Sequence, residues 1–442
     1  MRLPAKPPIS NRDREHPRVE PLLVQIEKPV YGGAFLARVE GKALFAPLTL
    51  PGEGALVRVV EEKRGYAVAE AEEISKPSPE RIAPLCRHFG ICGGCDYQHT
   101  GYGTQLRFKE AILRETLERA GVRAPDEISI LAAEPWAYRN RIRLAFDAAG
   151  RAGYRGRRSH AIVPIEECPI AAPLLVKAAR ASGRILCESA RALKPTEITL
   201  FCDASETALL AGLSTRDGGK RGFEDFAHSL SREIPAVKGV ELIGEGPAGS
   251  QPRTLAQWGE TSLVYSAAGF GYRVEQGGFF QVNRWLVDAL VDRVTNGFRG
   301  ALAWDLFAGV GLFARKLTAS FERVVAVESA QAAIRALQEN LKGRDTTAVR
   351  APTVDFLRHA RAKESPGLIV VDPPRTGLGA DTTAILAEIA APALVYVSCD
   401  PATLARDLRA LTGSGYTIES LTLADLFPQT YHLETVVHLR RS

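Results

Sequence analysis

The sequence predicts an α/β protein in which a doubly wound parallel sheet follows a small β-barrel and a mixed α+β region holding a cysteine cluster. Three observations carry this. From Ala301 onward, apolar strand-like runs alternate with helical segments. Between about residues 20 and 75, short alternating runs are separated by glycine and proline turns. Cys86, Cys92 and Cys95 lie close together, with Cys168 further on.

The 442 residues suffice for two or three domains. The apolar fraction of 45% and charged fraction of 24% are those of a globular protein, and no run of about 18 uncharged apolar residues predicts a membrane span. Residues 1–18 are rich in Pro and Arg without an apolar core, so they predict a disordered basic leader rather than a secretory signal. A net charge of +5 permits a nucleic-acid partner without demanding one. Arg139, Arg141 and Arg143 alternate in a strand-like stretch, and Arg151, Arg155, Arg157 and Arg158 follow. Charge alone describes a solvated face equally well; Tyr138 and Tyr154 among the arginines tilt the reading towards RNA, whose bases stack on rings and guanidinium planes. Seven cysteines, an odd number, point to a reducing cytosol and to ligand or catalytic roles.

The barrel is expected over 19–76, built from runs such as Leu23–Ile26, Ala34–Val39 and Ala55–Val60, with turns at Tyr31-Gly32-Gly33 and Pro51-Gly52-Glu53-Gly54. Lys76-Pro77-Ser78-Pro79 reads as a linker. A central region, 77–270, holds the cysteines and a helix at about 102–120, closed by Gly121 and expected to pack on the last domain. In 271–442 a helix over Leu286–Val294 leads to buried-type strands at Ala303–Phe307, Val324–Glu328, Leu368–Asp372 and Ala393–Ser398. Ligands are expected at the carboxyl ends of these strands.

Phe307-Ala308-Gly309-Val310-Gly311 follows the first of these strands and opens a helix, so its backbone approaches a ligand closely. Glu328 ends the next strand, where an acid binds ribose hydroxyls. The loop alone also suits a dinucleotide; its single short Asp-Leu-Phe-Ala-Gly-x-Gly form favours S-adenosylmethionine. Asp372-Pro373-Pro374-Arg375 places an aspartate at a strand end, with two prolines that offer no amide donors. Amino methylases carry an aromatic residue where Arg375 stands, which argues against exocyclic amino chemistry. Cys399 ends the following strand. A lone cysteine there is usually an inert, buried group, but Ser398-Cys399-Asp400-Pro401 at the ligand edge suits a nucleophile. Thiolate addition to carbon 6 of uracil makes carbon 5 reactive to a methyl donor, and a carboxylate must then remove the carbon 5 proton; Glu434 in His432-Leu433-Glu434 is the candidate base. Gly277-Gly278-Phe279-Phe280-Gln281 places Gln281 to bond a cofactor, or is a simple turn. Four thiolates at Cys86, Cys92, Cys95 and Cys168 suit either zinc or a four-iron four-sulfur cluster; Cys187 and Cys202 read as buried hydrophobes.

Together these motifs resemble the RNA 5-methyluridine methyltransferase family, and within it the bacterial ribosomal branch with an N-terminal TRAM barrel and an iron-sulfur cluster. The likeness runs through nearly the whole chain, in the family's order. It implies a Rossmann-like class I methyltransferase domain, an OB-like TRAM barrel that binds RNA, and a cytoplasmic, monomeric enzyme. Cys399 is implied as nucleophile and Glu434 as base. The implied S-adenosylmethionine contacts are Gln281, Phe307, Gly309, Gly311, Glu328, Asp355 and Asp372, and the implied 4Fe-4S ligands are Cys86, Cys92, Cys95 and Cys168. Two positions depart from the pattern. Leu312 stands where relatives often have asparagine, and Asp400 adds a charge expected to raise the thiol pKa and slow its activation.

The leading expectation is therefore methyl transfer from S-adenosylmethionine to carbon 5 of a uridine in 23S ribosomal RNA, the target leaving its stack to meet Cys399. The T-loop uridine of transfer RNA is the runner-up by the same chemistry. A non-catalytic RNA-binding iron-sulfur protein is the alternative from another class.

Overall fold

The computed structural model describes residues 20–190, 192–216, 219–246 and 253–441, so the expected leader lies outside the described residues. The chain forms two compact units. One takes the residues up to Leu113 with Tyr154–Val163 and Phe427–His432; the other takes Arg114–Gly153, Pro164–Leu426 and Leu433–Ser442. Among the described residues no helix is long and apolar enough to cross a membrane.

In the first unit, strands Leu22–Val30, Ala34–Val39, Lys42–Pro47, Gly54–Glu62 and Tyr66–Lys76 close into a barrel, the last strand lying between the third and fourth. Period-two alternation turns Val24, Ile26, Phe35, Ala37, Leu44, Val57 and Ala69 inward, where they are buried. Tyr97 and Phe108 join this core and meet the Phe35 ring edge-on. Glu53 is fully buried yet fully partnered: it accepts from the Leu50 and Ser78 amides and from two nitrogens of Arg81, at 2.6 and 2.7 Å. Paired and bonded in this way, a buried carboxylate is tolerated. The C-terminal segment joins the unit at Gln429, whose carbonyl accepts from the Asp96 and Tyr97 amides, whose side-chain oxygen accepts from Gln105 Nε2 and whose backbone amide donates to Gln105 Oε1, on the helix Tyr102–Arg119.

The second unit contains an eight-stranded sheet in the order Thr346–Arg350, Phe321–Glu328, Gly300–Leu306, Leu368–Val371, Ala393–Ser398, Glu434–Arg441, Tyr416–Ala424, Ser129–Leu131. The first five strands are parallel. Every residue of Leu368–Val371 and Ala393–Ser398 is buried, as a strand covered on both faces requires. The chain winds outward from Gly300–Leu306 and then returns to its other side. That reversal opens a crevice at the carboxyl ends of Gly300–Leu306 and Leu368–Val371.

The doubly wound parallel sheet expected from the sequence is extended at its far side by strands that are not all parallel. Glu434–Arg441 runs antiparallel to both its neighbours, and Ser129–Leu131 adds an edge strand. The physical reason is the short link from Ala424 to Glu434, which carries no helix; parallel neighbours need a long crossover, antiparallel ones do not. A second sheet, of strands Arg253–Gly259, Val237–Gly244, Leu209–Thr215, Glu197–Cys202, Arg141–Phe146, Ala152–Arg155 and Ile162–Pro164, carries helices Pro173–Glu188 and Phe223–Glu233. A hairpin, Ser262–Ala267 with Phe270–Glu275, precedes the helix Val287–Thr295.

The arginine-rich stretch is also corrected. Arg143 pairs with Glu197, Arg151 with Asp147, Arg157 with Asp96 and Arg158 with Glu61. Tyr138 is fully buried, so its ring offers no face to a nucleobase. Cys202 is buried as expected, whereas Cys187 is half-buried and its thiol donates to the Ala149 carbonyl.

Gly311, in the glycine-rich turn, has no room for a side chain. Its φ is +88°, and a Cβ there would lie 2.7 Å from Leu337 Cδ1. Gly311→Ala is expected to lower unfolding free energy by about 1–3 kcal/mol, read from urea titration.

Candidate active site

The glycine loop is held from five sides. The Ala308 amide donates to the Val327 carbonyl at 2.9 Å. The Gly309 amide donates to Glu328 Oε2 at 2.9 Å, while Glu328 Oε1 accepts from the Ala330 amide. Asn340, buried on the helix Gln331–Leu341, donates to the Val310 carbonyl at 2.9 Å. Tyr272 donates its hydroxyl to the Leu312 carbonyl, and Asp305 Oδ2 accepts from the Ala314 amide at 2.8 Å. Phe307 sits at φ +63°, a conformation a large side chain adopts only where its surroundings impose it. Three of the expected cofactor residues, Phe307, Gly309 and Gly311, thus form one rigid turn capped by a fourth, Glu328. The glycine turn and the strand-end acids suit an adenosyl ligand. Leu312, the first departure from the motif, is buried at the start of the helix Leu312–Leu317 and fills the core.

Asp372 follows the strand Leu368–Val371, its amide donating to the Leu306 carbonyl at 3.3 Å. Cys399 follows the adjacent strand, Ala393–Ser398, and is half-buried. Glu434 opens the next strand. Because that strand runs backwards, its first residues meet the end of Ala393–Ser398: Thr435 pairs with Ser398, and its hydroxyl donates to the Ser398 carbonyl. Asp372, Cys399 and Glu434 are thereby brought to one edge of one sheet, and their charges act on one another. Burial pushes the Cys399 thiol up to about 12, reinforced by Glu434 and Asp372 and opposed by Arg375. Burial and Asp372 likewise hold Glu434 well above the usual carboxylate range, with Arg375 again opposing. Asp372, enclosed enough to lose its hydration, is raised to about 7.

Asp400 differs from its expected role. Its carboxylate caps the helix Pro401–Gly413, accepting from the Ala402 and Thr403 amides at 3.0 Å each. The rise of the thiol comes first from burial and then from Glu434 and Asp372.

Gln281 is buried on a loop stitched to the start of Arg141–Phe146. Asn140 donates from its amide to Val282 and from its side chain to the Gln281 carbonyl, and Asn283 donates to the Leu426 carbonyl at 3.2 Å. Asp355 lies in the first turn of the helix Thr353–Ala360, half-exposed and paired with Arg358. No bond ties it to the turn. Cys86, Cys92 and Cys95 sit in the irregular segment between Lys76 and Tyr102, where the Gly94 amide donates to Cys92 Sγ at 3.4 Å; Cys168 belongs to the other unit. Among the described residues no group of three or more His, Cys, Asp or Glu side chains is arranged to hold a metal ion.

Sequence reasoning missed Asp305, Asn340, Asn140 and Asn283. Asp305 was legible as part of its motif, but the three asparagines bond carbonyls far away in the chain and leave no local pattern. Asp305 is fully buried, its Oδ1 unpartnered, and burial raises it to about 8, with Asp372 and Glu328 adding to the rise.

Comparison with known proteins agrees with this geometry. Residues 256–442 match the tRNA (Uracil-5-)-methyltransferase family model. A Streptomyces avermitilis protein named as an RNA methyltransferase is 34% identical, over 94% of this chain and 97% of its own length. The 23S rRNA (uracil(1939)-C(5))-methyltransferase RlmD of Halomonas elongata is 33% identical, over 94% of this chain and 88% of its own. The fold matches the Pyrococcus abyssi tRNA (uracil-54, C5)-methyltransferase, solved with S-adenosyl-L-homocysteine, at a TM-score of 0.77 and 24% identity, covering 94% of this chain and 99% of that one.

A neutral Asp305 makes stability depend on pH. Its folded pKa, about 8, lies above the ordinary value of 3.8, so its contribution is present below about pH 4 and is lost as pH rises through 8. Asp305→Asn, which keeps an oxygen for Ala314, is expected to flatten the fall in Tm between pH 5 and 8; parallel Tm curves for the two proteins would contradict this.

Proposed function

The chain belongs to the RNA 5-methyluridine methyltransferase family, S-adenosylmethionine-dependent enzymes, and from that premise we propose that it methylates carbon 5 of a uridine in 23S ribosomal RNA through a covalent bond from Cys399. The observation that carries the chemistry is the meeting of Cys399, Glu434 and Asp372 at one sheet edge. The choice of ribosomal RNA rests on the 33% identity, along nearly the whole chain, to the Halomonas enzyme.

S-adenosylmethionine supplies a methyl group on a sulfonium, whose positive charge favours the ionised forms of the acids around it. The Phe307–Gly311 turn, Glu328 and Asp372 would hold and orient it. Cys399 gives its proton to solvent and its sulfur bonds to carbon 6 of the flipped uracil, moving electron density to carbon 5. Carbon 5 accepts the methyl group, the sulfur–methyl bond of the donor breaking so that the donor would leave as the neutral thioether. Glu434 then takes the proton from carbon 5, and the sulfur–carbon 6 bond breaks to release 5-methyluridine and the thiolate. The raised pKa of Glu434 matches this duty, since a buried carboxylate holds the proton it has taken.

Methylation of the T-loop uridine of transfer RNA is the second reading, favoured by the description of the matching family model. Incubating the enzyme with unmodified 23S ribosomal RNA and with transfer RNA transcripts separates the two: the proposal expects methyl incorporation into the first and at least tenfold less into the second.

Removing the base should trap the reaction. Glu434→Gln is expected to accumulate a covalent complex with ordinary uridine RNA, visible as a denaturation-resistant band, while Cys399→Ala forms none. Once ionised, Glu434 opposes ionisation of Cys399. In the free protein the variant's thiol should therefore react with iodoacetamide at the wild-type rate where Glu434 is still protonated and faster than the wild-type thiol once alkaline pH has ionised Glu434, both rates climbing with pH. Equal rates over the whole range would show that Glu434 exerts no field on the sulfur.

We further propose that Cys86, Cys92, Cys95 and Cys168 hold a 4Fe-4S cluster with a structural role. Four half-buried thiols and an amide aimed at Cys92 Sγ fit that group by donor type. Anaerobically purified protein is expected to carry about four irons and four acid-labile sulfides per chain, with iron lost in Cys92→Ser. Zinc in their place would mark a tetrathiolate site instead.

A further inference from the structure

Trp285 stands four positions after Gln281 on the same loop and is 43% exposed, one of few large hydrophobic side chains that reach solvent. Its ring is nevertheless fixed. The indole nitrogen donates to the Trp136 carbonyl at 3.0 Å, and the Trp285 amide donates to Asn283 Oδ1 at 3.0 Å. The Arg284 guanidinium lies over the ring, 4.2 Å from its centroid. Arg284 is itself immobilised: it is almost wholly buried, pairs with Glu206 at 2.5 Å and donates to the Ala204 carbonyl.

An exposed tryptophan held only by packing would be an unremarkable surface residue. Here the polar edge is satisfied, one side is covered by a cation, and the loop that carries it also carries Gln281. What remains is a rigid, flat, apolar surface on the loop that carries Gln281. Such a surface suits the π-face of any nucleobase, and stacking on it needs no hydrogen-bond code. Extruding a uridine from its stack also leaves its neighbours without a stacking partner.

We propose that Trp285 is a stacking platform for an unpaired nucleobase of the substrate RNA near the methylated uridine, with Arg284 as the fixed cation that braces the ring from behind. This rests on the proposed methylation of RNA. The platform adds binding to a base that is not itself modified. It acts on RNA affinity and on the choice of RNA, and leaves methyl transfer unchanged once the RNA is bound.

The test is steady-state methylation of an unmodified 23S ribosomal RNA transcript, or of transfer RNA if that proves the substrate, with full-length wild type, Trp285→Ala and Trp285→Phe. Trp285→Ala is expected to raise KM for RNA roughly 5- to 150-fold, the range of one lost base stack, with kcat and KM for S-adenosylmethionine unchanged. Trp285→Phe should recover most of the loss. The slope of log affinity against log salt should be the same in all three, because stacking releases no counterions. An unchanged KM for RNA in Trp285→Ala, or no recovery by phenylalanine, would overturn the platform. So would a shallower salt slope, which would mark a phosphate contact, or a parallel rise in KM for S-adenosylmethionine, which would mark a loop disturbed as a whole. Failure of the wild type to methylate any uridine would instead sink the proposed function, so the two outcomes stay distinguishable.

Discussion

The site depends on one pairing: the strand Glu434–Arg441 lies antiparallel against Ala393–Ser398. All the other strands that reach the crevice do so by their carboxyl ends, and a sixth parallel strand would bring only another carboxyl end to it. Reversal delivers the first residue of the last strand to the same edge, so Glu434 arrives beside the end that presents Cys399. The ladder fixes that meeting more firmly than any side-chain contact. A shift of one residue would turn Glu434 to the opposite face of the sheet. Burial of every residue in Ala393–Ser398 ties the register to the core, so displacement of the site costs packing.

Enclosure gives these groups their chemistry. Asp305, Asp372 and Glu434 would carry three negative charges in water, yet their common burial holds all three towards the protonated form. Cys399 shares this environment and resists ionisation for the same reason, while Arg375 is the positive charge that opposes the effect. The free protein therefore keeps its nucleophile quiescent. Around it the backbone is over-determined: Glu328, Asn340 and Tyr272 bond three peptide units of the glycine turn or its helix, so Phe307 holds a left-handed conformation it would not adopt alone. Rigidity of this kind lets a loop receive a ligand without first having to order itself.

Much of this was legible in the residues. Each buried strand announced itself as an apolar run, and each motif named its own residue at the strand end, which is why Cys399, Asp372 and Glu328 fall where expected. Less legible was whatever depends on pairing at a distance. The reversed last strand, the asparagine bonds that secure the Gln281 loop and the capping use of Asp400 are tertiary facts with no local period. Tyr138 misled because an aromatic among arginines looks the same in sequence whether its ring faces solvent or lies in the core. Asp355 entered the expected contacts through the family resemblance alone; in the structure it sits half-exposed beside Arg358.

The account's central claim is that a sulfur and a carboxylate, set side by side by a reversed strand, exchange one uracil proton for one methyl group. RNA carrying tritium at carbon 5 of its uridines tests it most directly. The account predicts one tritium released to water for each methyl group incorporated by the wild type, and neither event in Cys399→Ala. Methyl incorporation without tritium release, or undiminished in the absence of the thiol, would contradict it.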